Sequence, residues 1–190
     1  MAYNIKDVFY LSTSATIAAS TAGAGSAQLD LSAYIDPIAR GRTKGTGLAV
    51  YKVHWHVMDD DKSKPIDDGE AGTFSFGLQA GLGLGDLATG TITQEDTAYE
   101  ATNALLISTG QFYGPKSMIA NANTTADMFP NRTLDPSKDV PYVIVRDNVC
   151  LTYQVGENMT GATKLSCRLE CAQISLDQAT LNQLLRTQTV

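Results

Sequence analysis

The chain is short of positive charge, cysteine and histidine, and each shortage excludes something. It carries 14 Lys and Arg against 20 Asp and Glu, a formal net charge of −6 and a pI of about 4.8. The nearest basic cluster, Arg40, Arg42 and Lys44, lies among glycines and reads as a turn. A phosphate backbone needs several convergent cations, so direct contact with nucleic acid is not expected. Three cysteines, Cys150, Cys167 and Cys171, are too few for a disulfide framework. On one strand Cys167 and Cys171 would stand about 13 Å apart, too far to bridge. Cys150 could pair with either of them across strands, or all three could be small buried hydrophobes.

Long apolar runs are missing too, and none reaches the length that spans a bilayer. Val8 to Ala24 is mildly apolar, but Asp7 stands where a signal peptide has positive charge. Thr13, Ser14, Thr16 and Ser20 further dilute the stretch, which argues against a cleaved signal. The sequons at Asn123, Asn131 and Asn158 are about what so much Ser and Thr yields by chance.

The same scarcity bears on catalysis. His54 and His56 are the only histidines, so a cysteine nucleophile would need one of them beside it. All three cysteines fall inside apparent strands, where a thiol is usually inert. There is no Gly-x-Ser-x-Gly elbow. The glycine-rich run Gly77 to Gly85 lacks the Gly-Lys-Ser/Thr ending of a phosphate loop. No enzyme and no cofactor are expected.

What the chain does have is alternation. Hydrophobic residues make up 43% and charged residues 18%, a globular balance with abundant Gly, Ala, Ser and Thr. Period-two patterns mark strands at 28–35, 48–58, 73–78 and 163–174, with shorter ones at 105–108 and 116–121. In 48–58, Ala49, Tyr51, Val53, Trp55 and Val57 are placed on one face; Val50, Lys52, His54, His56 and Met58 are placed on the other. Residues 141–146 and 149–155 read as a hairpin across Asp147-Asn148. The stretch 92–106 is ambiguous and could open a short helix at Thr93. Val8 to Leu11 suggests a short strand, and Ser12 to Ala27 is uncharged. At the end Ser175 to Gln178 fits a capping box, with Leu181, Leu184 and Leu185 at helical spacing.

These signals predict an all-β protein, an antiparallel β-sandwich or jelly roll of about eight strands. The expected divisions are an N-terminal arm over 1–27, a jelly-roll domain over 28–174 and a C-terminal helix over 175–190.

His54-Trp55-His56 is the one constellation that invites a metal. On a strand the two imidazoles point the same way, about 7 Å apart. Asp59 follows with oxygen ligands, yet no third nitrogen or sulfur ligand stands at recognisable spacing. The expectation is no metal, with His54, His56 and Asp59 as the residues to examine. A polar or interface face, or a pH-sensitive contact, is the plainer reading. Asp59, Asp60, Asp61, Asp67, Asp68 and Glu70 could offer oxygens to calcium, but their order is not that of an EF-hand. They read as a solvated acidic loop.

An uncharged arm, a long strand with mixed charges opposite its apolar face, and polar loops at 59–72, 77–91 and 121–139 suggest self-association. The segment Leu29-Asp30-Leu31-Ser32-Ala33-Tyr34-Ile35-Asp36-Pro37 leads into Val50-Tyr51-Lys52-Val53-His54-Trp55. With this length and strand count, residues 28–174 resemble the single-jelly-roll major capsid proteins of tailless, membrane-containing icosahedral viruses. These include viruses that infect archaea and thermophilic bacteria. The resemblance implies a virion coat subunit assembled in the host cytoplasm, with its barrel upright on the particle. It implies copies of itself as partners, then a second coat protein and an underlying viral membrane. That family has no catalytic residues to carry over. The alternative is a binding module, such as a lectin-like, tail-fibre or decoration domain.

Overall fold

A computed structural model describes residues 8–36, 44–61, 64–67, 69–81, 99, 102–115 and 135–188. The strands are β1 (Phe9–Ile17), β2 (Gly23–Asp30), β3 (Lys44–Asp59), β4 (Thr73–Ala80), β5 (Leu106–Tyr113), β6 (Tyr142–Ile144), β7 (Asn148–Glu157) and β8 (Thr163–Asp177). One helix, α1 (Gln178–Thr187), follows. The expected strand at 116–121 and the expected helix opening at Thr93 lie outside the described residues.

Two four-stranded antiparallel sheets result, ordered β1-β8-β3-β6 and β2-β7-β4-β5. The pairs β1–β8, β2–β7, β3–β6 and β4–β5 are those of one long hairpin bent back at β4–β5. Rolling that ribbon up brings β8 onto β3 and β7 onto β4. This wrapping is a jelly roll. Between the sheets lies one core, built from the inward residues of both. Leu165, Leu169 and Val53 face Phe74, Leu78, Leu151 and Ile107 across it.

Alternation explains most of the strands, and the structure departs from it in five places. Residues 9–17 and 23–30 are not an arm: they form β1 and β2, one edge strand for each sheet, and the expected division at 27/28 falls inside β2. Their small uncharged residues suit flat pairing, with nine β1 partners on β8 and eight β2 partners on β7. The strand expected over 28–35 stops at Asp30, whose carboxylate accepts the Ser32 N–H at 2.8 Å and turns the chain. Leu31 and Ile35 are both buried there, because residues four apart share a face in a turn as they do in a strand.

The third departure is a β-bulge in β3, where Val50 pairs with Cys171 and Lys52 with Glu170, leaving Tyr51 as the extra residue. A one-residue insertion flips every later side chain. Ala49 and Tyr51 therefore join a second apolar cluster under α1, while Val53, Trp55 and Val57 belong to the core between the sheets. The fourth is at Asp147-Asn148. β6 and β7 belong to different sheets, so no hairpin forms and the chain crosses the sandwich there. Gln188 anchors the crossing: its side chain accepts the Val145 N–H at 3.2 Å, and its carbonyl accepts from Arg146. Last, the helix starts three residues late. Ser175 and Leu176 are still in β8, paired with Thr46 and Gly45, and Asp177 caps α1 by accepting the Thr180 N–H at 2.8 Å.

Leu181 of α1 is fully buried against the outer face of the first sheet, beside Ala49, Tyr51, Ala172, Ile174 and Leu176. Gly45 makes that approach possible. A Cβ there would stand 2.8 Å from Leu181 Cδ2, inside van der Waals contact.

Candidate functional site

The first sheet has a second half that α1 does not cover. On its outer face three strands bring side chains into register. Ser12 of β1 stands opposite Arg168 of β8, and Arg168 opposite His54 of β3. The next row is Ser14, Ser166 and His56; the rows beyond are Tyr10, Glu170 and Lys52, and Thr16, Lys164 and Met58. Strands about 4.8 Å apart and rows about 7 Å apart make a regular grid. The centre of the grid is an open groove of about 770 Å³, lined by Tyr10, Ser12, His54, Lys164 and Arg168 among others. His54 Nε2 lies 3.7 Å from Glu170 Oε2, and the Arg168 guanidinium carbon lies 5.7 Å from the centre of the Tyr10 ring.

His54 and His56 thus share a face, as the spacing requires, while Trp55 points the other way. Trp55 meets Phe76 edge-on at 4.6 Å, and its Nε1 donates to Ser108 Oγ at 2.9 Å. Ser108 donates in turn to Asp135 at 2.6 Å, so Trp55 fastens the two sheets together. Asp59 is turned to the loop, where its carboxylate accepts the Asp61 N–H at 2.7 Å. Among the described residues no group of three or more His, Cys, Asp or Glu gathers as metal ligands would.

The acidic loop divides by burial. Asp61 is exposed and pairs with Lys64 at 3.0 Å. Glu70 is buried, and its carboxylate accepts the N–H groups of Gly72 at 2.7 Å, Thr160 at 2.8 Å and Gly161 at 2.9 Å. Burial raises its pKa; the three amide donors lower it further than that and hold it below the ordinary glutamate value. Both oxygens are occupied by the backbone, so this side chain serves as a clasp between the 69–72 segment and the turn after β7. Asp68 lies outside the described residues.

All three cysteines are free and buried. Cys167 and Cys171 face the core, whereas Cys150 sits beside Thr152's face of β7, on the far side of the second sheet. That sheet stands between them, which excludes the pairings open at the sequence level. Burial pushes the thiols up to about 11 for Cys150 and about 12 for Cys167 and Cys171, so all three are protonated and poor nucleophiles.

No family model and no curated protein matches this chain.

The grid therefore rests on its own chemistry. It offers cations, hydroxyls, imidazoles and one phenol ring on three hydrogen-bonded strands. The mixed-charge face expected of the 163–174 strand is the β8 side of the grid, with Lys164, Ser166, Arg168 and Glu170, and the paired histidines are its β3 side, whereas Tyr10, Ser12 and Ser14 carry no such expectation. The available signal was alternation of Phe9, Leu11 and Thr13 with those three, hidden by the small uncharged residues that follow. No helix among the described residues is long and apolar enough to cross a membrane.

Proposed function

We propose that the chain is a self-assembling structural subunit, the coat protein of a virus-like shell, whose first partners are copies of itself. The observation that carries this reading is the seam formed by β1 and β2. Each is one of the two edge strands of its sheet, and the two lie side by side. Together they hold one charged residue, Asp30, and no proline, and neither is interrupted by a bulge. Isolated domains guard such edges with charge, proline, bulges or very short strands. An unguarded pair of edges suits a protein whose neighbours do the covering. The jelly roll itself is an architecture of shells and of lectin domains alike, so it is compatible with the reading without deciding it. A second coat protein and an underlying membrane remain part of the proposal through the resemblance of residues 28–174.

Sedimentation velocity and electron microscopy of the purified full chain test it. The expected result is association that rises with concentration and gives regular capsomers or shells. Gln28→Lys, at an exposed position of β2 on the seam and outside the first sheet, should weaken association while leaving the circular dichroism spectrum intact. A chain that stays monomeric at every attainable concentration overturns the reading and favours the binding module.

A further inference from the structure

We infer that the uncovered half of the first sheet is a binding site for an acidic carbohydrate, a sulfated or carboxylated sugar chain. The inference goes beyond assembly and does not depend on it. It starts from charge. The protein is net negative at −6, yet the four rows of the grid hold Lys52, Lys164 and Arg168 against Glu170 within the rows and Asp60 at their end, where its carboxylate accepts from Thr16 Oγ1 at 3.4 Å. Glu170 is itself largely covered and lies beside His54. A cationic surface on an acidic protein focuses attraction for anions at that place and repels them elsewhere.

The remaining side chains choose among anions. Ser12, Ser14, Ser166, His54 and His56 present donors and acceptors on a flat face, which suits a ligand dense in hydroxyls. An acidic peptide in extended form gains specificity from pockets for alternate side chains, whereas this surface holds a single open groove. Single-stranded nucleic acid binds through successive aromatic platforms, and the grid has one ring, Tyr10, more than half exposed beside Arg168. Arg168 covers one side of that ring and holds its guanidinium there for an anionic substituent, while the exposed side of the ring is left for one sugar. Arg168 and Lys164 stand four residues apart on β8, about 13 Å at strand rise, so two anionic groups along one chain can be held at once.

Calorimetric titration of the full chain at low salt, with a sulfated heparin oligosaccharide and a neutral dextran of equal length, tests the inference. The heparin oligosaccharide should bind, more weakly as salt rises, and the dextran should not. Lys164→Gln with Arg168→Gln should weaken binding about tenfold or more, while Lys138→Gln on the 135–140 loop should leave it unchanged. Ser12→Asp keeps every cation and sets a carboxylate opposite Arg168; it should weaken binding as well. Failure of the wild type to bind overturns the inference. So does equal binding by the double variant, or equal binding of polyglutamate or duplex DNA. Sedimentation of the same samples reads assembly separately, so either reading can fail while the other stands.

Discussion

The two halves of the first sheet's outer face are built on the same strands and differ in one respect, whether anything lies on them. Under α1 the outward residues are Ala49, Tyr51, Ala172, Ile174 and Leu176; beyond it they are His54, His56, Lys164, Ser166 and Arg168. On β8 the change comes between Glu170 and Ala172 with alternation unbroken. On β3 it comes at the Tyr51 bulge, which shifts the outward set from odd to even positions. A face that is apolar for part of its length and polar for the rest records the footprint of what covers it. The covered half owes its side chains to a permanent intramolecular partner. The open half keeps charges that a permanent partner would have had to desolvate.

The sharpest way to separate the halves is to cut one side chain from each. Leu181 is fully buried at the centre of the covered half. Leu181→Ala should cost about 2–5 kcal/mol, the transfer loss plus the cavity it leaves. Arg168→Ala, on the same sheet but exposed, should change stability by no more than about 0.5 kcal/mol. Urea unfolding of both variants against the wild type checks the pair. Comparable losses would mean that the open half is structural and not a ligand surface.

The contrast extends to carboxylates. Glu70 is enclosed by three amide donors, whereas Glu170 borders the open half. Glu70→Gln replaces a charged acceptor with a neutral one and should cost about 1–3 kcal/mol; Glu170→Gln should cost little. The folded pKa of Glu70 lies below its ordinary value of 4.5. Its contribution is therefore complete above that value and is lost as pH falls through the folded pKa. Acid titration of wild type and Glu70→Gln should show two curves apart at neutral pH that converge in acid. Curves that stay parallel would show that the charge is not what matters.

Much of this was readable in advance, and the failures share a cause. Strands 73–78 and 163–174 carry their alternation openly, because Phe74, Phe76, Leu165 and Leu169 face a dry core and their neighbours do not. Period two says nothing about an extra residue, so it groups Ala49 and Tyr51 with Val53, Trp55 and Val57 on one face, and the bulge at Tyr51 separates them. Composition misleads at β1 and β2, where a short strand at Val8 to Leu11 followed by small uncharged residues reads as an extended arm outside the domain. They need only pair at an edge and cover a core whose bulk comes from elsewhere. The Asp147-Asn148 turn has hairpin chemistry, but whether two strands meet or part across a sandwich is decided by long-range pairing. The groove is the hardest to foresee, since it requires β1, β3 and β8 side by side, and only the first residues of β1 carry a strand signal.

A smaller test probes the border between the halves. Tyr51 is 5% exposed, and its hydroxyl is buried without a hydrogen-bond partner. Burial raises its pKa, and the nearby Cys171 adds to this. Removing an unsatisfied hydroxyl takes away a desolvation cost and leaves the ring's packing intact. Tyr51→Phe should therefore be neutral or stabilise by up to about 1 kcal/mol in urea unfolding. A clear loss would reveal a partner for that hydroxyl, and with it a second cover over the border.

The mildest change is at the cap that turns β8 into α1. Asp177 accepts the Thr180 backbone N–H, and this bond, with the Thr180 side chain, holds its pKa below the ordinary 3.8. The sign follows: the cap is at full strength above that value and weakens as pH falls through the folded pKa. Asn caps as well as Asp, so Asp177→Asn should match the wild type at neutral pH and lose its acid sensitivity. Asp177→Ala removes the cap at every pH, and its difference from the wild type should shrink in acid. Amide hydrogen exchange resolves where the effect falls. Faster exchange confined to α1, with β1 and the open ends of β3 and β8 unchanged, would show that the covered half depends on its helix while the open half stands without it. Exchange that rises across both halves would join them into one cooperative unit.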